Sequence, residues 1–230
     1  MEVAQLKQSQ RDRLGSALVR QPWLTLEVAI AALIAFLNIL MPTLLLLAMG
    51  TGSLWLRRKS WLDLGLRRPA SWLNTVVLGA LLACATTAFS LWVARPGIEV
   101  LTGQVQDFSQ FQSIQGNLQM LLIWLAISWI LGAFGEELAF RGYLLNRSLD
   151  LFGNQWAGII ASVLLNAAAF GVLHAYQGLG GVLNTAVDAA LFAVIYLAGR
   201  RNLWLTVLVH GIGNSIGMIA IYFGWFGLLN

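Results

Sequence analysis

The sequence predicts an all-α fold, a polytopic transmembrane helical bundle of about six to seven spans. Three observations predict it. Of the 230 residues, 58% are hydrophobic and only 10% are charged, against about 25% charged in an average soluble domain. The mean hydropathy is +0.73. Apolar runs near the ~20 residues that cross a bilayer recur along the chain, and the polar stretches between them fall below the ~40 residues at which a domain folds alone without staples. The expected organisation is a polar, basic tail over residues 1–22 and a single membrane domain over residues 23–230.

The first apolar run, Trp23–Met49, is too long for a signal-peptide core and contains Glu27, so it is expected as a retained helix. Pro42 should kink it, and Glu27 lies near its N-terminus, where the helix dipole tolerates an acid. After the basic stretch Thr51–Ser71 comes Trp72–Ala94, then Leu118–Phe134 continuing toward Leu149. Gly153-Asn154-Gln155 reads as a turn into Trp156–His174. Leu179–Ala198 and Leu203–Phe226 complete the set, separated at Arg200–Arg201. Trp23, Trp72, Trp92, Trp156, Trp204 and Trp225 fall at segment ends, where an interfacial aromatic belt lies. In the last segment Gly213 and Gly217 have the G-x-x-x-G spacing that allows close helix contact.

Composition also excludes several functions. The formal charge of +4 and pI near 9.7 do not point to nucleic acid, because the basic residues flank apolar segments as topology anchors. The expected partner is the lipid bilayer. Cys84, the only cysteine, rules out an internal disulfide. Gly178-Leu179-Gly180-Gly181 lacks the preceding strand and the lysine of a phosphate loop. With six spans, Arg57, Arg58, Lys59, Arg67 and Arg68 share one side with Arg141, Arg147, Arg200 and Arg201, and the positive-inside rule puts that side in the cytoplasm. The basic N-terminal tail then falls on the other side, unless a re-entrant segment near the start brings it back.

Ionisable groups inside a bilayer cost about 2.5–3.5 kcal/mol each on insertion scales and mark function by default. Glu136 and Glu137 stand in Gly135-Glu136-Glu137-Leu138-Ala139-Phe140-Arg141-Gly142. On a helix Glu137 and Arg141 are four apart, acid first, the favoured order for an ion pair. Glu136 is turned about 100° away and has no basic residue at that spacing, so one acid is neutralised and the other is free. A buried cluster that only ties helices together would not need the second carboxylate. Counted back from the turn at Gly153, Glu136 and His174 lie at similar depth on antiparallel helices, roughly 25–30 Å along each at 1.5 Å per residue. His210 and Asn214 are four apart and share a face, and both can donate hydrogen bonds. The same count puts His210 only about 12 Å up its helix, so tilt or a shifted turn is needed to level it with His174. Asp188, near Asn184, is read as structural, lining the cavity or pairing with Arg141.

Together E-E-x-x-x-R at Glu136, Glu137 and Arg141, F-x-x-x-H at Phe170 and His174, and H-x-x-x-N at His210 and Asn214 resemble the CPBP family of intramembrane proteases. That family includes the CAAX prenyl endopeptidases and bacteriocin-processing or immunity (Abi) proteins. The resemblance covers about residues 118–217, the expected protease-like core. It implies a helical bundle with a water-filled cavity that hydrolyses a peptide bond of a membrane-associated protein or peptide. By the same resemblance Glu136 activates water with help from His174, His210 and Asn214 stabilise the oxyanion, and Glu137 and Arg141 support the helix. No metal is favoured. If Zn2+ is present, Glu136, His174 and His210 would be its ligands, although no H-E-x-x-H places two histidines one turn apart. Two other classes compete: a non-catalytic membrane regulator or immunity protein on the same scaffold, and a proton-coupled transporter, whose internal repeats are not seen. The expected location is a prokaryotic cell inner membrane.

Overall fold

The computed structural model describes residues 2–38 and 41–225, with side chains from Gln10 onward. Ile39 and Leu40 of the first expected segment, and Phe226 at the end of the last, lie outside the described residues. The described chain is helical throughout, with no strand. Helix α1 is Glu2–Ala17, α2 is Trp23–Phe36 and α3 is Pro42–Leu56. Five longer helices follow: α4, Trp72–Thr102; α5, Leu118–Phe152; α6, Trp156–Leu173; α7, Gly178–Ala198; and α8, Leu203–Phe223. These five are long and apolar enough to cross a membrane. Large apolar side chains on their outer faces, such as Leu73, Leu81, Ile130 and Leu164, are exposed, as lipid-facing residues must be. Three helix starts use a polar residue as a cap: Ser71, Asn117 and Asn202 accept hydrogen bonds from the backbone of α4, α5 and α8.

The expected single helix Trp23–Met49 is two antiparallel helices instead. Pro42 does not kink a helix interior; it begins α3, where its missing N–H leaves no bond unmade. With 14 and 15 residues, α2 and α3 reach only about 21–23 Å at 1.5 Å per residue, short of a ~30 Å hydrocarbon core. Their outer ends meet. Glu27 in α2 holds Arg57, one residue past α3, at 2.5 Å. Glu27 is therefore not an interfacial acid but a buried one, and it also accepts from Ser53 Oγ at 2.6 Å and Tyr143 Oη at 2.9 Å. Helices α2 and α3 form a hairpin that enters and leaves at one end of the bundle.

That end gathers nearly all the positive charge. There, Asp12 of α1 pairs with Arg58 at 2.5 Å, Arg67 donates to the Arg200 carbonyl, and Arg201 donates to Asn154. Gly65 adopts φ +104°, and a Cβ at this position would lie 1.8 Å from the Arg201 carbonyl oxygen. Only glycine lets the loop after α3 dock on the turn before α8. Among the described side chains, every Lys and Arg except Arg141 and Arg95 stands at this end. Across the opposite end runs the segment after α4. Its Asp107 N–H donates to the Gln177 carbonyl, and Gly116 N–H donates to the Tyr222 carbonyl near the end of α8.

Close packing inside the bundle runs through small residues. A Cβ on Gly171 would come within 2.5 Å of the Val182 carbonyl, so this glycine sets the approach of α6 to α7. Gly79 and Gly211 likewise admit Leu208 and Trp129. The expected Gly213–Gly217 contact is made by one glycine only: a Cβ on Gly213 would lie 3.4 Å from Thr87 Oγ1, one on Gly217 would meet nothing within 4 Å, and both glycines line a cavity. Helix α5 widens to π geometry over Ser128–Leu145, and α4 does so over Ser90–Ala94. π turns cluster at functional sites, and both stretches face that cavity.

Candidate active site

The cavity occupies about 350 Å³ between α4, α5, α6, α7 and α8. It extends from Glu136, His210 and Asp188 to Arg95, Phe108 and Tyr176 at the end opposite the basic loops. Glu136, His174, His210 and Asn214 all line it, as do Phe170 and Phe192. Residues from distant sequence segments thus meet in one hollow.

The π segment of α5 carries the two glutamates. A widened helix closes i→i+5 rather than i→i+4 bonds, and buried carbonyls need partners wherever the regular ladder is disturbed. Polar side chains supply them: Asn166 of α6 donates to the Phe140 carbonyl, and Asn146 donates to the carbonyls of Arg141 and Gly142. These asparagines are fully or nearly fully buried, which fits a role in holding an irregular backbone in an apolar setting.

Glu137 points away from the cavity. It lies 2.9 Å from Arg141 Nη1, with both side chains wholly buried. Arg141 is further fixed by donating to the Ala189 carbonyl at 3.1 Å, and its guanidinium lies 4.7 Å from the centre of Phe170 and 5.3 Å from that of Phe192. Cation–π contacts of this kind strengthen when desolvated. The ion pair expected from the spacing is present, and Phe170 serves it as well as His174.

His210 joins the two acids. Its Nδ1 is 3.0 Å from Glu137 Oε1, and its Nε2 is 3.9 Å from Glu136 Oε2. A ring nitrogen facing a carboxylate acts as donor, so Nδ1 carries a proton and Nε2 is the atom presented to Glu136. The 3.9 Å separation exceeds a direct hydrogen bond and suits a bridging water. The shallow position expected for His210 does not keep it from the site, since it reaches the level of Glu136 in the second turn of α8.

His174 follows directly on α6, and its Nδ1 is 2.9 Å from the Phe170 carbonyl. A carbonyl only accepts, so Nδ1 is again the donor and a neutral ring keeps its lone pair on Nε2. The ring packs 4.8 Å from Phe170, which fixes its plane. Asn214 donates through Nδ2 to Ser128 Oγ at 3.0 Å. Ser128 was not singled out by sequence reasoning, although it stands two turns before Glu136 as a small polar residue in an apolar run. Ser90 was missed for the same reason. From the π turn of α4 it accepts from Asn184 Nδ2 at 2.9 Å and donates to Asp188 Oδ2 at 3.4 Å.

Asp188 lines the cavity, and its partners are the neutral Ser90 and Asn184; among the described residues it makes no ion pair with Arg141. For a metal ion, both histidines have the outer hydrogen bonds that orient ligating imidazoles. Yet among the described residues no three His, Cys, Asp or Glu side chains gather closely enough to hold one. The arrangement therefore does not fit a Zn2+ ion on Glu136, His174 and His210.

Residues 118–216 match a protein-family model described as type II CAAX prenyl endopeptidase Rce1-like. The match covers the three motif segments, and it supports the CPBP/CAAX protease family for this chain. No curated protein matched the chain. No solved structure matched it either.

Proposed function

We propose, from the match to a family of CAAX-type intramembrane proteases, that this protein hydrolyses a peptide bond of a membrane-associated protein or peptide with a water activated by Glu136. The observation that carries the reading is the convergence of Glu136, His210, His174 and Asn214 on one cavity within the helical bundle. Glu136 takes a proton from water, and the hydroxide formed attacks the scissile carbonyl. Glu136 then returns the proton to the departing amine, so that acid and amine products balance the water consumed. Glu137 contributes by occupying Arg141 and His210 Nδ1, which leaves the Glu136 carboxylate without a direct cation partner. The Nδ2 group of Asn214, aligned by Ser128, donates to the oxyanion, while His174 and His210, with Nδ1 as donor, offer Nε2 as an acceptor for the attacking water. Preorganised donors of this type are typically worth about 10²–10³ in kcat.

The setting is a cell membrane, for which we propose a prokaryotic inner membrane with the basic end of the bundle in the cytoplasm. The test uses full-length protein in nanodiscs with membrane peptides recovered from cells that lack it. Wild type should release new peptide termini, and Glu136→Gln and His174→Ala should release none while keeping the wild-type elution and melting profile. Full cleavage by both variants overturns the reading. Activity unchanged by a strong chelator is expected, whereas one tightly held zinc per chain, whose removal stops cleavage, would overturn the water-only route.

A further inference from the structure

One cavity carboxylate has no part in the proposed hydrolysis. Asp188 and Asn184 are one turn apart on α7, and Phe192 follows one turn later, with its ring centre 5.2 Å from that of His210. One face of α7 thus carries Asn184, Asp188 and Phe192 along the cavity toward the catalytic histidine. Both hydrogen bonds to Asp188 fall on Oδ2, at 3.4 Å from Ser90 Oγ and 3.3 Å from Asn184 Nδ2. Both are long, and both donors are neutral. Oδ1 has no protein partner among the described residues and is not sealed from the cavity.

Among the described residues no other charged group around the cavity pairs with it directly. Arg141 is committed to Glu137, the Ala189 carbonyl and two aromatic faces. Arg95 stands toward the end opposite the basic loops, 5.0 Å from the centre of the Phe108 ring. Glu136 is a like charge, and His210 is oriented by the two glutamates. A carboxylate kept among membrane helices without a cation is costly, and such residues ordinarily serve a ligand or an ion.

We propose that Asp188 Oδ1 forms a cation-binding subsite that receives a protonated nitrogen of the substrate, from a Lys or Arg side chain near the scissile bond or from a free peptide N-terminus. The proposal rests on the reading that this cavity holds a peptide. Ser90 and Asn184 hold Oδ2 and leave Oδ1 open to the cavity that His210 also lines. An apolar isostere of the basic residue would leave the carboxylate unpaired, so the subsite selects by charge rather than by size.

The test is a binding measurement that needs no turnover. Full-length Glu136→Gln protein in nanodiscs is titrated into fluorescein-labelled apolar peptides that differ only in one Lys or norleucine, each with an acetylated or a free N-terminus. Empty nanodiscs provide the partition control. The Lys or free-amine peptide should bind at least about tenfold more tightly than acetylated norleucine peptide, a modest return for a charge-assisted hydrogen bond. Asp188→Asn should erase the difference, and Asp188→Glu should restore part of it. The acetylated arms tell a side-chain cation from a terminal one. Equal affinity for all peptides in the Asp188 protein, including no binding of any, overturns the subsite, as does a preference that survives in a folded Asp188→Asn variant. Loss of selectivity with cleavage retained in the Glu136 protein would separate the subsite from the protease reading itself.

Discussion

His210 Nδ1 lies 3.0 Å from Glu137 Oε1, and this contact binds the last helix to the glutamate that does not face the cavity. The same oxygen is 2.9 Å from Arg141 Nη1, so one carboxylate serves a cation and an imidazole together. Removing it leaves Arg141 buried without a counter-charge, a loss typically of about 3–5 kcal/mol. Glu137→Ala is therefore expected to unfold or fail to accumulate. Glu137→Gln keeps an acceptor for His210 and should retain more stability while losing turnover. Thermal melting in detergent, compared with cleavage, separates the two effects; a Glu137→Ala protein with wild-type melting would refute the structural role.

Asn214 and Ser128 offer a contrast, because their hydrogen bond (3.0 Å) touches the cavity and little else. Asn214→Ala should lower kcat by about 10²-fold, the usual loss of one oxyanion donor, with KM nearly unchanged. Ser128→Ala only frees Asn214 to turn, so a smaller loss, on the order of tenfold or about 1.4 kcal/mol, is expected. A rise in KM without loss of kcat in either variant would place the pair in substrate binding instead.

A second polar cluster at the basic end is expected to matter for stability alone. Tyr143 is fully buried, two residues after Arg141, and its hydroxyl donates to Glu27. Tyr143→Phe removes one of several donors to that carboxylate and should cost about 1–3 kcal/mol. Arg57→Ala strands Glu27 and should cost more, about 3–5 kcal/mol. Melting of the two variants checks the order, and cleavage per folded molecule should be near wild type for Tyr143→Phe.

The helical class and the turn at Gly153 were readable because they rest on short-range rules: apolar run length, i to i+4 spacing and glycine punctuation. Glu137 and Arg141 pair as their spacing required. What was hidden depends on the third dimension. Pro42 reads equally well as a kink or as a helix start, and only the approach of Arg57 to Glu27 distinguishes the hairpin from one bent span. The π widening over Ser128–Leu145, the stretch that carries Glu136, has no periodic signature in so apolar a run. Ser90, Ser128 and Asp188 come from helices distant in sequence, so their meeting could not be read from local pattern.

The hairpin also resolves the charge balance along the membrane normal. If Trp23–Met49 crossed the bilayer, the N-terminal basic residues would oppose those of the later loops. Because α2 and α3 leave at the same end, they add to them, and Arg95 is the one described cation at the other end. The positive-inside rule then predicts the basic end in the cytoplasm and the part of the cavity lined by Arg95, Phe108 and Tyr176 toward the far side. In a Cys84→Ser background, an impermeant maleimide added to intact cells should label Gln112→Cys, an exposed position at that far end. Ala70→Cys, exposed before α4, should be labelled only after permeabilisation. The reverse pattern would turn the bundle over and open the cavity to the cytoplasm, and substrates would then have to arrive from that side.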